Sequence, residues 1–330
     1  MSNSSTPVPL ILDVDTGIDD ALALLFAAAS EEAELVGVTT VAGNIEVEHV
    51  TRNTLAVLEL AGRGDVEVAI GAAAPLCRPL TPTPETHGLE GIGRAVVVPP
   101  AAAASERGAA QLIVEQARAR PGEITLVALG PLTNVAAAVL WEPELPKLLR
   151  RLVIMGGTFR EAGNTTPVTE WNMTVDPEAA ACVLRRFGRD GAPPPLLMGL
   201  DVTQTAAILP HHLADLRERA GDGPVVRFVE DSLDFYFDFH EQYDGFRGAH
   251  VHDPFVVGSV LDPALLSAHR LLAVGVELGG ERTAGMTYAD FKGTGGEPPN
   301  CEVPFRGEGE AFIGRLVDRL VELAAARAAA

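Results

Sequence analysis

Six short runs rich in Val, Ile and Leu constrain this chain more than any other feature: Pro9–Leu12, Leu35–Val41, Val66–Ile70, Ile124–Leu129, Leu152–Met155 and Leu196–Leu200. Their apolar residues are continuous rather than alternating, so each predicts a strand buried on both faces, as in a parallel sheet. Between them lie helical patterns at Asp19–Ala29, Val47–Ala61, Gly108–Ala119, Asn134–Leu140 and Pro177–Phe187. Asp176-Pro177-Glu178 is a good helix start, with an Asp cap, Pro at the first position and an acid in the first turn. Strand followed by helix, repeated, predicts right-handed crossovers and an α/β fold: a doubly wound, mostly parallel sheet with a Rossmann-like core.

From about His211 the pattern changes. Longer helices are expected at Val225–Glu241 and Pro254–Val260, then a late strand at Leu271–Glu277 and a last helix from Glu308 to about Ala325. No repeat or linker divides the chain, so residues 8–330 are expected to form a single domain behind a disordered, Ser-rich stretch 1–7. The segment Arg78–Gly93, rich in Pro, Thr and Gly, is expected as a loop, and loops of that length are often functional.

Composition narrows the partners. At 47% hydrophobic and 21% charged residues the chain is not a disordered polymer. A net charge of −20, with no basic stripe to offset it, repels phosphate backbones and excludes nucleic acid as a partner. A metal ion or a neutral or cationic small molecule fits better. Cys77, Cys182 and Cys301 are far apart and odd in number, which suits a reducing cytoplasm. The start lacks the apolar stretch of a signal peptide, and Ala21–Ala29 is far too short to span a bilayer, so no membrane role is expected.

Chemistry concentrates in Asp13-Val14-Asp15-Thr16-Gly17-Ile18-Asp19-Asp20. Alternation along a strand points Asp13 and Asp15 the same way. Gly17 permits a tight turn, and Asp19 and Asp20 open the next helix, where the dipole favours anions. Four carboxylates therefore converge at the carboxyl end of the first strand, which is where open α/β sheets bind ligands. Their repulsion calls for a cation, and a donor set of oxygen alone points to Ca²⁺ or Mg²⁺ rather than zinc. Taken singly, each Asp has a structural explanation as a helix cap or a buried acceptor. Four in eight residues at one turn favour function.

Two families begin this way. Haloacid-dehalogenase-like phosphatases carry Asp-x-Asp-x-Thr/Val, a pattern that Gly17 breaks. Asp-x-Asp-x-Gly-x-Asp-Asp instead resembles the nucleoside hydrolases, the inosine–uridine-preferring nucleoside N-ribohydrolase family. Further motifs resemble theirs in the same order: Val41-Ala42-Gly43-Asn44, His87-Gly88, Leu129-Gly130-Pro131-Leu132-Thr133-Asn134, Met155-Gly156-Gly157, Asn164, Glu170-Trp171-Asn172 and His252-Asp253-Pro254. The resemblance runs from about Pro9 to the last helix. It departs from the family pattern at Thr16, where relatives commonly carry Pro, and across Thr158–Gly163, which is about one residue longer.

The resemblance implies Ca²⁺-dependent hydrolysis of the N-glycosidic bond of ribonucleosides, giving ribose and a free base. It implies Ca²⁺ held by Asp15, Asp20, Asp253 and the backbone carbonyl of Leu129, with Asp13 behind them. Asp15 would take the proton from the attacking water, and His252 would protonate the leaving base. Asp19, Asn44, Asn164, Glu170 and Asn172 would read ribose hydroxyls, with Glu170 and Asn172, two apart in an extended segment, facing the same way. His87, His240 and Tyr243 would lie around the base, while Tyr236 and Phe239 read as core or interface. A homodimer or homotetramer is expected. Two rival readings are a Mg²⁺ phosphatase with Asp13 as nucleophile and a catalytically silent nucleoside-binding protein.

Overall fold

The computed structural model describes residues 6–329, so all but residues 6 and 7 of the stretch expected to be disordered lie outside the described residues. The predicted strands form: β1 Val8–Val14, β2 Ala33–Thr40, β3 Val68–Ile70, β4 Thr125–Ala128, β5 Arg151–Met155 and β6 Leu196–Met198. All lie in one eight-stranded sheet ordered Arg270–Leu272, Cys301–Val303, β6, β5, β4, β1, β2, β3. Every pairing is parallel except that between Arg270–Leu272 and Cys301–Val303 at one edge. The chain winds outward from β1 to β3, then returns to lay β4 on the other side of β1. The carboxyl ends of β1 and β4 thus form the switch point at which such sheets bind ligands.

Two apolar layers sandwich the sheet. Leu10, Leu12 and Val14 of β1 face one layer and Ile11 the other, so the period-two alternation survives although both faces are buried. Helix α1, Ile18–Ala29, lies in the first layer beside the helices Pro224–Tyr243, His252–Leu261 and Gly309–Ala328. Helices Ala109–Ala119, Thr133–Trp141 and Pro177–Arg186 cover the other face. The helix His252–Leu261 is apolar around most of its circumference and buried through its first eight residues. It packs against α1, so the two helices bring their N-termini to one place.

Two expectations are corrected. The late strand Leu271–Glu277 is two strands: Arg270–Leu272 joins the main sheet, whereas Val274–Val276 pairs antiparallel with Thr287–Ala289. The break falls at Ala273, whose carbonyl accepts from the Asp290 amide. Glu170 and Asn172 do not lie in an extended segment, because Trp171–Val175 is a short helix capped by the Glu170 side chain. The Arg78–Gly93 loop holds one helical turn, Pro84–His87, which carries His87 inward.

Candidate active site

Asp13, the last residue but one of β1, lies fully buried on the side facing the helix Thr133–Trp141. One of its oxygens accepts from the Thr39 hydroxyl at 2.5 Å and from Asn134 Nδ2 at 2.8 Å; Oδ2 is buried without a partner. Burial pushes its pKa from 3.8 up to about 7. Asn134 also donates to the Thr40 carbonyl at the end of β2, so Asp13 and Asn134 tie β1, β2 and the helix Thr133–Trp141 together beneath the switch point. Asp13 does not reach the cavity above. That position removes it as a phosphatase nucleophile.

Asp15 and the residues after it turn over the sheet edge. The Asp15 amide donates to Asp20 Oδ1 at 3.2 Å, and the Gly17 amide donates to Asp20 Oδ2 at 2.9 Å. Asp20 therefore closes its own turn as a helix-start acceptor. Asp15 Oδ2 accepts from the Asn44 amide at 2.9 Å, and Asn44 Nδ2 reaches the Asp15 carbonyl and Asp20, both at 3.4 Å. Asp253 arrives on the first turn of the helix His252–Leu261. Carboxylate oxygens of Asp19, Asp20 and Asp253 lie within 4.8 Å of one another. Two helix N-termini aim at this cluster and favour its negative charge.

The charge is nonetheless uncompensated. Burial, followed by neighbouring aspartates, raises Asp15 and Asp253 well above 3.8 and Asp19 to about 8, and burial raises Asp20 to about 6. A cavity of about 530 Å³ opens over the cluster, and among the described residues no Lys or Arg lines it. Buried carboxylates that are short of a cation, with donor atoms all oxygen, fit a hard divalent ion.

Glycines make room for this arrangement. A Cβ at Gly43 would stand 2.2 Å from Asp15 Oδ2 and 2.8 Å from Pro131. One at Gly17 would stand 2.6 Å from the ring of His87. Gly43→Ala is therefore expected to displace Asp15 and lower kcat on the order of 10²-fold, with an unchanged circular dichroism spectrum. Full activity in that variant would show that the position of Asp15 is not critical.

The remaining expected residues line the same cavity with distinct duties. Glu170 accepts from the amides of Asn172, Gly157 and Met173, fixing the turn after β5, and burial raises its pKa. Asn172 Nδ2 donates to the carbonyls of Leu129 at 2.6 Å and Met155 at 3.2 Å, bridging the ends of β4 and β5. Leu129 thus keeps only one lone pair for an ion. Asn164 is exposed, and its Oδ1 accepts from the Trp171 amide, the turn role common for Asn. His87 Nδ1 accepts from the Ile18 amide at 3.1 Å, and burial lowers its pKa to about 3. His252 Nδ1 bonds Thr203 Oγ1 at 2.8 Å, and burial and neighbouring histidines hold the ring neutral. Tyr243 is 60% exposed at the rim.

Sequence reasoning missed part of the aromatic wall. Tyr236 and Phe239, expected as core or interface, line the cavity with Trp171 and His250. Tyr236 is buried with its ring 5.6 Å from His87 and 4.7 Å from His240. The available signal was the Tyr236–His240 spacing, which places both on one helix face.

The family model described as inosine-uridine preferring nucleoside hydrolase matches residues 10–314. The chain belongs to this nucleoside hydrolase family. A pyrimidine-specific ribonucleoside hydrolase, RihA, from Salmonella arizonae is 39% identical over 315 residues, covering 95% of this chain and 98% of that protein. The fold is likewise that of solved nucleoside hydrolases. A plant nucleoside hydrolase, PpNRh1, superposes with a TM-score of 0.88 at 31% identity, over 96% of this chain and 99% of that one. A purine-preferring ribonucleoside hydrolase from Gardnerella vaginalis gives 0.88 at 30% identity over the same shares.

Proposed function

We propose that residues 8–330 act as one catalytic domain that hydrolyses the N-glycosidic bond of ribonucleosides, releasing ribose and a free base. One observation carries this reading: a cavity at the switch point whose floor is buried carboxylate and whose wall, among the described residues, holds no Lys or Arg. N-glycoside cleavage spreads positive charge over the ribose ring, and such a floor stabilises that charge. A phosphate ester, bringing negative charge, would be repelled.

We infer that the resident ion is Ca²⁺, held by Asp15, Asp20, Asp253 and the free lone pair of the Leu129 carbonyl, with Asp19 alongside. When bound, such an ion supplies the charge that acidifies a nearby water and anchors sugar hydroxyls. Asp15 takes the proton of the attacking water, its carboxylate being fixed by the Asn44 amide. Asp19, Asn44, Asn164, Glu170 and Asn172 hold the ribose. His87, His240, His252 and Tyr243 surround the base, and the neutral His252 ring, with Nδ1 engaged by Thr203, offers Nε2 to it.

Pyrimidine ribonucleosides are the preferred substrates in this reading. The support is the RihA relatives at 38–39% identity, which are pyrimidine-specific. Assayed over a panel, kcat/KM for uridine is expected to exceed that for inosine by about tenfold or more, a difference of about 1.4 kcal/mol. A preference for inosine would reverse the assignment. Because the sugar subsite is built for hydroxyls, 2′-deoxyuridine is expected to be poorer than uridine by at least the order of 10²-fold. Equal values would show that the 2′-hydroxyl is not read.

A cytoplasmic homodimer or homotetramer completes the proposal. Three free cysteines suit a reducing compartment. No described helix is long and apolar enough to cross a membrane. The exposed apolar side chains Leu89, Val96 and Val98 support self-association.

A further inference from the structure

Four imidazoles gather at the base end of the cavity: His87, His240, His250 and His252. They are not equivalent. His87 Nδ1 accepts from a backbone amide, so that ring is neutral with its proton on Nε2. His252 Nδ1 meets the Thr203 hydroxyl, and His250 Nδ1 is buried with no partner. Among the described residues, His240 alone of the four has a carboxylate partner, with Nδ1 2.5 Å from Asp244 Oδ2 one helical turn on. The opposite nitrogen, His240 Nε2, is buried without any partner in the cavity wall, and the whole residue is only 4% exposed. Asp244 is half-exposed at the end of the helix Pro224–Tyr243, in contact with bulk water.

We propose that His240, oriented by Asp244, is the proton donor to the departing base; this rests on the reading of the site as a ribonucleoside hydrolase. Burial lowers the pKa of this ring and the Asp244 carboxylate opposes that lowering, by the logic through which a carboxylate on one imidazole nitrogen favours the imidazolium and aims the other nitrogen at the reacting group. In the step, the C1′–N bond breaks and its electron pair stays with the base. The Nε2 proton of the imidazolium moves onto the base, leaving His240 neutral. Water adds at C1′ and loses its proton to Asp15. Bulk water reprotonates His240 beside Asp244 and takes the proton from Asp15, so the sum is nucleoside plus water to ribose plus base. The surrounding rings of Tyr236, Phe239, Phe246 and His250, with centroids 4.7, 5.4, 5.6 and 5.3 Å away, hold the imidazole in place. His240 is thereby a catalytic residue and Asp244 a positioning residue.

The test compares uridine, whose base needs a proton to leave, with 4-nitrophenyl riboside, whose nitrophenolate leaves without one. In His240→Gln the ratio of kcat on uridine to kcat on 4-nitrophenyl riboside is expected to fall on the order of 10²-fold or more. In Asp244→Asn, a surface change that spares the core, the same ratio is expected to fall roughly tenfold. A ratio unchanged in both variants overturns the proposal, whether both activities drop together or neither drops. A ratio that collapses in His252→Ala but not in His240→Gln overturns it in favour of His252. Wild-type enzyme that releases neither uracil nor nitrophenol would instead defeat the underlying hydrolase reading.

Discussion

Asp15→Asn is expected to lower kcat on uridine and on 4-nitrophenyl riboside alike, by on the order of 10²–10⁴-fold. Both substrates need an activated water, whatever their leaving group. The substitution keeps the shape of the side chain and its acceptor toward the Asn44 amide. It removes the negative charge that receives the proton and that would help hold the ion, and it leaves the fold intact. The measurement is steady-state kcat on both substrates, with folding checked by circular dichroism and metal content checked by elemental analysis. Loss on uridine alone would move Asp15 to the leaving-group side. Retained activity on both would remove it from the mechanism.

Removing the metal is expected to give an effect as large, and one that depends on pH. Asp13, Asp19 and Asp20 have native pKa values of about 7, 8 and 6 against 3.8 for an exposed Asp. Groups whose native pKa is raised bind more protons in the folded than in the unfolded state. Stability of the ion-free protein therefore falls as pH rises, within the window from about 4 to about 8 set by those values. The cause is burial of carboxylates that have no counter-charge. Ion binding requires the deprotonated form and supplies that charge, so its stabilising effect should grow over the same window. At hundredfold excess over Kd the ion adds about 2.7 kcal/mol, or about 4 °C in Tm for a chain of this size. Chelation should abolish ribose release at pH 7 to 8, and Ca²⁺ should restore it with a larger Tm increment at pH 8 than at pH 5. Restoration by Zn²⁺ but not Ca²⁺, or a Tm increment that shrinks with pH, would contradict this reading of the cluster.

Legibility in the sequence followed the physics of each element. The six apolar runs became six of the eight strands of the main sheet because burial on both faces leaves a continuous signal. The carboxyl end of the first strand was legible as a ligand site from the density of Asp13 to Asp20 at one turn, whereas the strand order that makes it a switch point needed coordinates. The late strand was not legible, because whether Leu271–Glu277 is one strand or two depends on partners far away in sequence. Glu170 and Asn172 were found as site residues but misread in conformation. A carboxylate that caps its own two-turn neighbourhood looks the same in sequence as one facing a ligand. Tyr236 was passed over because helical aromatic spacing usually means packing. Here the same face of the helix is both packed and cavity wall. The Asp244 partner of His240 needed coordinates, since an i, i+4 His–Asp pair in a charged segment reads as surface.

The most direct measurement incubates the calcium-loaded enzyme with uridine and quantifies uracil, free ribose and ribose 1-phosphate, with and without inorganic phosphate. Uracil and free ribose in equal amounts, independent of phosphate, is the predicted result. Ribose 1-phosphate as product, or phosphate release from 4-nitrophenyl phosphate with no cleavage of any ribonucleoside, would contradict the assignment of this acidic cavity to N-glycosidic hydrolysis.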